Sequence, residues 1–272
     1  MANTVLKANN ISIVFGGLKA VDNFCIEIKE GELVGLIGPN GAGKTTVFNM
    51  LTGVYTPTSG TIELCGKDVT KFSPHKRVEL GISRTFQNIR LFKRMSVLEN
   101  VKVSSNIHMN YSVFDGVFKT KKYFEQEDKA TAEALEILKV LGLEEYVNEE
   151  AQNLPYGKQR KLEIARALAS HPAILCLDEP AAGMNPIETE ELMQTIQIVR
   201  EKFNTAILLI EHDMKLVMGI CEWIKVISFG KEIATGTPAE IRNNKEVIRR
   251  LNDLRECDSS HSFSLRNSQK IC

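Results

Sequence analysis

Apolar and polar positions alternate through about the first 30 residues, as in Ile11-Ser12-Ile13-Val14-Phe15, and the alternation breaks at Gly16-Gly17 and again at Gly31. A period of two with glycine breaks predicts an antiparallel sheet. The pattern then changes: residues 33–37, 82–86, 174–177, 207–210 and 223–229 are short apolar runs with little alternation. Such runs suit strands covered on both faces, so they predict a central, mostly parallel sheet. Helical signals follow several of them. Asn185-Pro186 offers a cap and a first-turn residue, after which Leu192, Ile196, Val199 and Phe203 recur at helical spacing and predict a helix packed by one face on that sheet. Between about residues 95 and 170 the pattern is helical with charged faces, including 130–141, and no internal repeat is visible.

Composition bounds this α/β reading without altering it. At 272 residues and 43% hydrophobic, the chain fits one large domain, or a core plus a subdomain, with a substantial buried core. Lys plus Arg equals Asp plus Glu at 34 each, so no global basic field draws nucleic acid or anionic lipid. No apolar run approaches the roughly 18 residues of a membrane span. Met1-Ala2-Asn3-Thr4 does not begin a charged n-region with an apolar core behind it, so neither a spanning nor a secreted chain is expected. Six cysteines, at 25, 65, 176, 221, 257 and 272, lack C-x-x-C spacing and predict neither disulfides nor zinc.

The chemistry begins at Gly38-Pro39-Asn40-Gly41-Ala42-Gly43-Lys44-Thr45-Thr46, a complete G-x-x-x-x-G-K-[ST] loop between a predicted strand and a helix-like stretch at 45–51. Its glycines let successive N–H groups point at phosphate oxygens, and the helix behind them presents its positive end. Lys44 is expected to neutralise β- and γ-phosphates, and Thr45 to hold Mg²⁺. The run 174–177 ends in Asp178-Glu179-Pro180, placing Asp178 for the Mg²⁺ shell and Glu179 to polarise an attacking water. The run ending at 210 delivers Glu211-His212-Asp213 to the same carboxyl edge, where ligands sit in open α/β sheets, so His212 is expected to face the phosphates.

Between those strands, residues 153–168 read Asn-Leu-Pro-Tyr-Gly-Lys-Gln-Arg-Lys-Leu-Glu-Ile-Ala-Arg-Ala-Leu. With Gln87 in Arg84-Thr85-Phe86-Gln87-Asn88 and with Ala182-Gly183-Met184-Asn185, this segment resembles the signature region of ATP-binding cassette (ABC) proteins. The resemblance runs from about Leu6 to Leu251, and within the family it is nearest in motif to the ATPase subunits of bacterial branched-chain amino-acid importers. It implies a P-loop NTPase core with an N-terminal antiparallel β subdomain and a helical subdomain at about 95–170, all within residues 1–254. It further implies ATP and Mg²⁺ as cofactors and a head-to-tail pair with a second ABC ATPase subunit. Two membrane permeases, an external substrate-binding protein, a place on the cytoplasmic face of the inner membrane and no nucleic-acid role complete that expectation. Gln87 and the segment 88–98, with the helical subdomain, would form the groove for permease helices. Other cargoes, urea or lipopolysaccharide, and an ABC ATPase acting on nucleic acid are the alternatives.

Several positions keep two readings. Phe15, 23 residues before Gly38, stands where ABC proteins stack an aromatic on adenine, or it is a core aromatic of a strand. Gln87 completes the Mg²⁺ or water shell, or caps a turn. The family's common signature is Leu-Ser-Gly-Gly-Gln, whereas Leu154-Pro155-Tyr156-Gly157-Lys158 stands here, so Tyr156, Gly157 and a helix's positive end would have to meet a partner's γ-phosphate without the serine hydroxyl. Pro155 is tolerable at a helix start. Asn185 replaces the usual aspartate, keeping an acceptor and dropping the charge. Lys158 stands where glutamine is usual and either contacts that γ-phosphate in trans or is a solvated surface lysine. The aromatics Tyr111, Phe114, Phe118, Tyr123 and Phe124 in the insert at 106–124 are expected to cap a core rather than to dock a partner. The polar segment 255–272 lacks helical periodicity and predicts a disordered tail. Deletion after Leu254 is expected to leave Tm and ATPase activity nearly unchanged; a Tm loss of several degrees would show that the segment packs.

Overall fold

The computed structural model describes residues 3–108 and 112–250. In chain order its elements are β1 (Thr4–Phe15), β2 (Leu18–Lys29), β3 (Leu33–Ile37), α1 (Lys44–Leu51), β4 (Ser59–Leu64), β5 (Lys67–Asp68), α2 (Pro74–Glu79) and β6 (Ile82–Arg84). Four helices follow, α3 (Val97–Ser105), α4 (Val113–Phe118), α5 (Lys121–Val140) and α6 (Tyr156–Leu168). The chain continues through β7 (Ile174–Asp178), α7 (Pro186–Phe203), β8 (Ala206–Ile210), α8 (Met214–Ile220), β9 (Trp223–Ser228), β10 (Lys231–Gly236) and α9 (Pro238–Asn243).

The larger sheet runs β10-β9-β3-β8-β7-β6, parallel throughout except for the antiparallel edge strand β10. Every residue of β3, β7 and β8 is buried. That is the physical reason for their uninterrupted apolar runs: Leu33, Leu175, Leu177, Ile207 and Leu209 enter one core with α3, α5, α6, α7 and α8, while Val34, Leu36, Cys176, Leu208 and Ile210 enter another with α1 and the second sheet. That second sheet is antiparallel in the order β2-β1-β4-β5. The alternation near the N-terminus predicts β1 and β2, but β4, β5 and β10 escape it, because at Ser59–Leu64 and Lys231–Gly236 few positions are buried to write a pattern.

Helix α7 starts where its cap predicts. The Asn185 side chain accepts from the N–H groups of Ile187 and Glu188, Glu188 returns a bond to the Asn185 N–H, and Pro186 fills the first turn. Pro155 sits at the N-cap of α6 without disturbing it. The aromatic insert departs from expectation: Phe114, Phe118 and Phe124 are exposed, with Phe114 and Phe118 rings 4.3 Å apart on α4, so they do not cap the helical core. α4 is six residues long, too short to lay a full apolar face against α5. Tyr111 and the segment 255–272 lie outside the described residues.

The β9–β10 turn is tied to the region around the glycine-rich loop. Gly230 donates to the Ala42 carbonyl at 2.8 Å and accepts from Asp22 N–H at 2.8 Å. Its φ is +75°, and an added Cβ would lie 2.4 Å from the Ala20 carbonyl oxygen. Gly230→Ala therefore meets both left-handed strain and a backbone clash, and is expected to cost about 2–4 kcal/mol. Gly66, with φ +77° and open space, is the control and should lose only the strain. Denaturant unfolding compares the two; equal losses would show that the turn moves aside freely.

Candidate active site

The loop after β3 and the first turn of α1 surround a cavity of about 400 Å³ lined by Pro39, Asn40, Gly41, Ala42, Gly43, Lys44, Thr45 and Thr46, with Glu179 from the end of β7. Gly41 and Gly43 adopt φ of 76° and 101°, the left-handed turns that let loop N–H groups face inward. Gly38 begins the curl; its carbonyl and that of Pro39 accept bonds from Lys44 Nζ at 2.6 and 2.8 Å. Lys44 is thus buried and folded over its own loop. Burial lowers its ammonium pKa, while Glu179 and Asp178 oppose that shift. Leu18, Lys19, Ala20, Phe229 and Gly230 complete the lining. None of these five is marked by a motif, and only the Phe229-Gly230 turn, a left-handed pair at φ 47° and 75°, carries a local signal.

The three carboxyl-edge residues meet as their strand ends predict. Glu179 is left-handed at φ 44°, a strained state for a residue with a side chain, held by its N–H to the Ile210 carbonyl at 2.9 Å. Gln87 Nε2 donates to Glu179 Oε2 at 2.7 Å, and His212 Nδ1 stands 3.9 Å from Glu179 Oε1. Gln87 therefore does more than cap a turn. Behind them the fully buried Glu211 accepts from the N–H groups of Ala181, His212 and Asp213 at 2.8, 3.0 and 3.4 Å, fixing the backbone on both sides of the site. Burial pushes its carboxyl up despite those bonds.

Asp178 is buried at the end of β7, and burial raises its carboxyl, with Glu179 and Glu211 adding to the rise. The Arg84 guanidinium, 3.7 Å away, offsets part of this. Arg84 is itself held by Asn49 and Thr52 and lies between the Phe48 and Phe86 rings, each centroid 4.7 Å off. A charge lodged among aromatics next to a carboxylate at the sheet's carboxyl edge was not legible from spacing, since its polar partners lie about 30 to 90 residues away in sequence.

Other predicted residues do not join the cavity. Phe15, half-exposed at the end of β1, makes an edge contact with Tyr55 at 5.3 Å and does not line the loop cavity. Tyr156, Gly157 and Lys158 begin α6 away from it: the Tyr156 hydroxyl donates to the Ala182 carbonyl at 2.8 Å, Gly157 faces Glu188, and Lys158 Nζ lies over the Tyr146 ring, 4.8 Å from its centroid. Lys158 is therefore neither a free solvated lysine nor directed at its own chain's phosphate loop. A second, mostly apolar groove of about 700 Å³ opens between the β6 side of the core and helices α3 and α6, lined by Val54, Val78, Phe86, Phe92, Ile107 and Arg166 among others.

A family model described as "ABC transporter" matches residues 21–182, and one described as "Branched-chain amino acid ATP-binding cassette transporter" matches 231–249. The chain is 49% identical over 249 residues to the "High-affinity branched-chain amino acid transport ATP-binding protein LivG" of Salmonella typhimurium, covering 92% of this chain and 98% of that protein. It is 47% identical to the "High-affinity branched-chain amino acid transport ATP-binding protein BraF" of Pseudomonas aeruginosa, with the same shares of each chain. Identity falls to 32% over 90% of this chain and 95% of the other for the "Lipopolysaccharide export system ATP-binding protein LptB" of Escherichia coli. Among solved structures, the ADP conformation of an ATP-binding cassette of an ABC transporter superposes with a TM-score of 0.79 at 30% identity, over 90% of this chain and 97% of that one. With more than half its length under one family model and relatives that match it nearly end to end, the chain belongs to the ABC transporter family and is one of its ATP-hydrolysing cassettes.

Proposed function

We propose that this chain is the ATP-hydrolysing subunit of an importer for branched-chain amino acids. The near-full-length identity to LivG and BraF supports the cargo, and the lower identity to LptB disfavours lipopolysaccharide. Balanced charge gives a nucleic-acid role no support. The observation that carries the chemistry is the contact of Gln87 and the approach of His212 on opposite oxygens of a strained Glu179 at the mouth of the phosphate-loop cavity.

In this reading the N–H groups of the loop and of α1 bind the β- and γ-phosphates of ATP, and Lys44 leaves its own carbonyls for them. Glu179 takes the proton of the attacking water, Gln87 orients that water and His212 supports the γ-phosphate. Thr45, Gln87 and Asp178 supply hydroxyl, amide and carboxylate oxygens, the hard donors that suit Mg²⁺. A buried carboxylate with a raised pKa fits a site that gains a cation. The ion would neutralise charge on the transferring phosphate. Phe15 would stack on adenine by swinging from Tyr55.

Because Tyr156, Gly157 and Lys158 lie outside their own chain's cavity, a signature contact to nucleotide requires a second cassette, head to tail. Residues 1–254 would act as one ABC domain whose helices at about 95–170 carry that signature. The 700 Å³ groove beside Phe86 and Phe92 is suited to apolar permease helices. No described helix is long and apolar enough to cross a membrane, so attachment at the cytoplasmic face of the inner membrane would come through two permeases, supplied by an external binding protein.

Glu179→Gln is expected to bind MgATP, to hydrolyse it at least about 100-fold more slowly and to accumulate the closed dimer, because the amide keeps shape but takes no proton. Turnover near wild type in the reconstituted transporter would remove Glu179 as the base. Asp178→Asn tests the metal role through stability. A carboxyl raised on folding holds its proton more tightly in the folded chain, so its contribution to stability declines as pH rises from its unfolded pKa to its folded one. Replacing it should therefore raise the nucleotide-free Tm at pH 7 by about 2 °C while abolishing Mg²⁺-dependent stabilisation by ATP. A fall in Tm would show that the Arg84 pairing outweighs burial.

A further inference from the structure

Tyr156, Arg160 and Glu163 stand at i, i+4 and i+7 on α6, and so form one stripe along the helix. Arg160 is 0% and Glu163 1% exposed, and Arg160 Nη1 bonds Glu163 Oε2 at 2.8 Å. Apart from Arg160 Nε, which is buried without a partner among the described residues, and a contact to Tyr156, the other bonds of both side chains go to one short segment. Arg160 donates from Nη1 to the Phe86 carbonyl at 2.7 Å and from Nη2 to the Gln87 carbonyl at 2.8 Å. Glu163 Oε1 accepts from the N–H groups of Phe86 and Arg90 at 3.4 and 3.3 Å. The backbone on both sides of Gln87 is thus held by a guanidinium on its carbonyls and a carboxylate on its amides. Tyr156 extends the stripe: its hydroxyl lies 3.3 Å from Arg160 Nη2 and donates to Ala182, whose own N–H returns to the Glu179 carbonyl at 3.2 Å.

A buried ion pair is a poor source of stability compared with apolar packing of the same volume, so its worth lies in the geometry it imposes. Here that geometry is the reach of the Gln87 amide to Glu179, 2.7 Å. We propose that Arg160 and Glu163, linked through Tyr156 to the segment after Glu179, are positioning residues for hydrolysis: they set the Phe86–Arg90 backbone so that Gln87 meets Glu179 in register. The inference rests on the reading of Glu179 as the base. Glu163→Gln would present a donor where Arg160 and two N–H groups already donate, leaving one buried donor without an acceptor.

The test is steady-state ATP hydrolysis by the full chain in its assembled transporter, with kcat and KM measured separately for Glu163→Gln and Tyr156→Phe, each alone and on a Gln87→Ala background. Tyr156→Phe removes one hydroxyl from a half-exposed ring, so it keeps the test alive if Glu163→Gln fails to fold. Each single change is expected to lower kcat about tenfold with KM within about twofold, the signature of a misplaced group rather than lost binding. On the Gln87→Ala background neither should lower kcat further, because both act through that amide. Losses that multiply on that background, losses that fall on KM alone, wild-type kcat in the single variants, or a Gln87→Ala chain with normal kcat would each overturn the proposal. Glu179→Gln run beside them separates the two readings: if it is inactive while Tyr156→Phe and Glu163→Gln are normal, only the positioning role fails; if it turns over, the base assignment fails.

Discussion

One row of backbone pairing governs the rest of the site. Leu36 of β3 pairs with Ile210 of β8, and Ile210 pairs with Asp178 of β7, so three parallel strands end level with one another. Whatever follows each strand is delivered to the same edge: the glycine-rich loop from β3, Glu179 from β7, and Glu211 and His212 from β8. A slip of one residue in either pairing would turn Asp178 or Ile210 to the opposite face of the sheet, because side chains alternate with period two. Register is secured by burial rather than by the site. Leu208 and Ile210 face one core while Ile207 and Leu209 face the other, so either slip would exchange two filled layers at once.

That security is what allows the edge to hold groups that do not stabilise the fold. Lys44, Asp178 and Glu211 are all buried, and burial disfavours the charged form of each. Glu179 is held left-handed. The compensations are local hydrogen bonds: loop carbonyls for Lys44, three backbone amides for Glu211, Gln87 for Glu179. Asp178 has the weakest of them, an ion pair at 3.7 Å, and is the group with most to gain from an added cation.

The sheet's carboxyl edge was legible in the sequence because each part is local: a strand, a motif, a following turn. Asn185 as the cap of α7 was legible for the same reason, since cap, proline and apolar period fall within twenty or so residues. The contacts that steady the edge were not. Arg160 reaches Phe86 and Gln87 across 74 and 73 residues, Arg84 reaches Asp178 from another strand, and Gly230 clasps Ala42 from near the far end of the described chain. No local trace marks the first of these: α6 carries charges at Lys158, Arg160, Lys161, Glu163 and Arg166, and only the fold shows that Arg160 and Glu163 are buried beside Leu162, Ile164, Ala165 and Leu168. The exposed Phe114, Phe118 and Phe124 show the reverse failure, since aromatic content argues for burial only where an element is long enough to cover it.

Helix α6 then has two jobs that its composition separates. Its apolar residues enter the same core as β7, α3 and α5, which fixes it as a rigid body. Its polar stripe faces the other way, to Phe86, Gln87 and Ala182, with Gly157 and Lys158 at its open N-terminal end. A shift of the helix as a unit therefore cannot leave Gln87 where it is without breaking buried hydrogen bonds on both Arg160 and Glu163, each costly to leave unmade. Lys158 resting on Tyr146, and Pro155 standing where the signature serine would be, weaken what the helix's own tip offers an anion. In the proposed mechanism the stronger physical link between α6 and hydrolysis runs inward, through the backbone around Gln87, rather than outward through the side chains of its first turn.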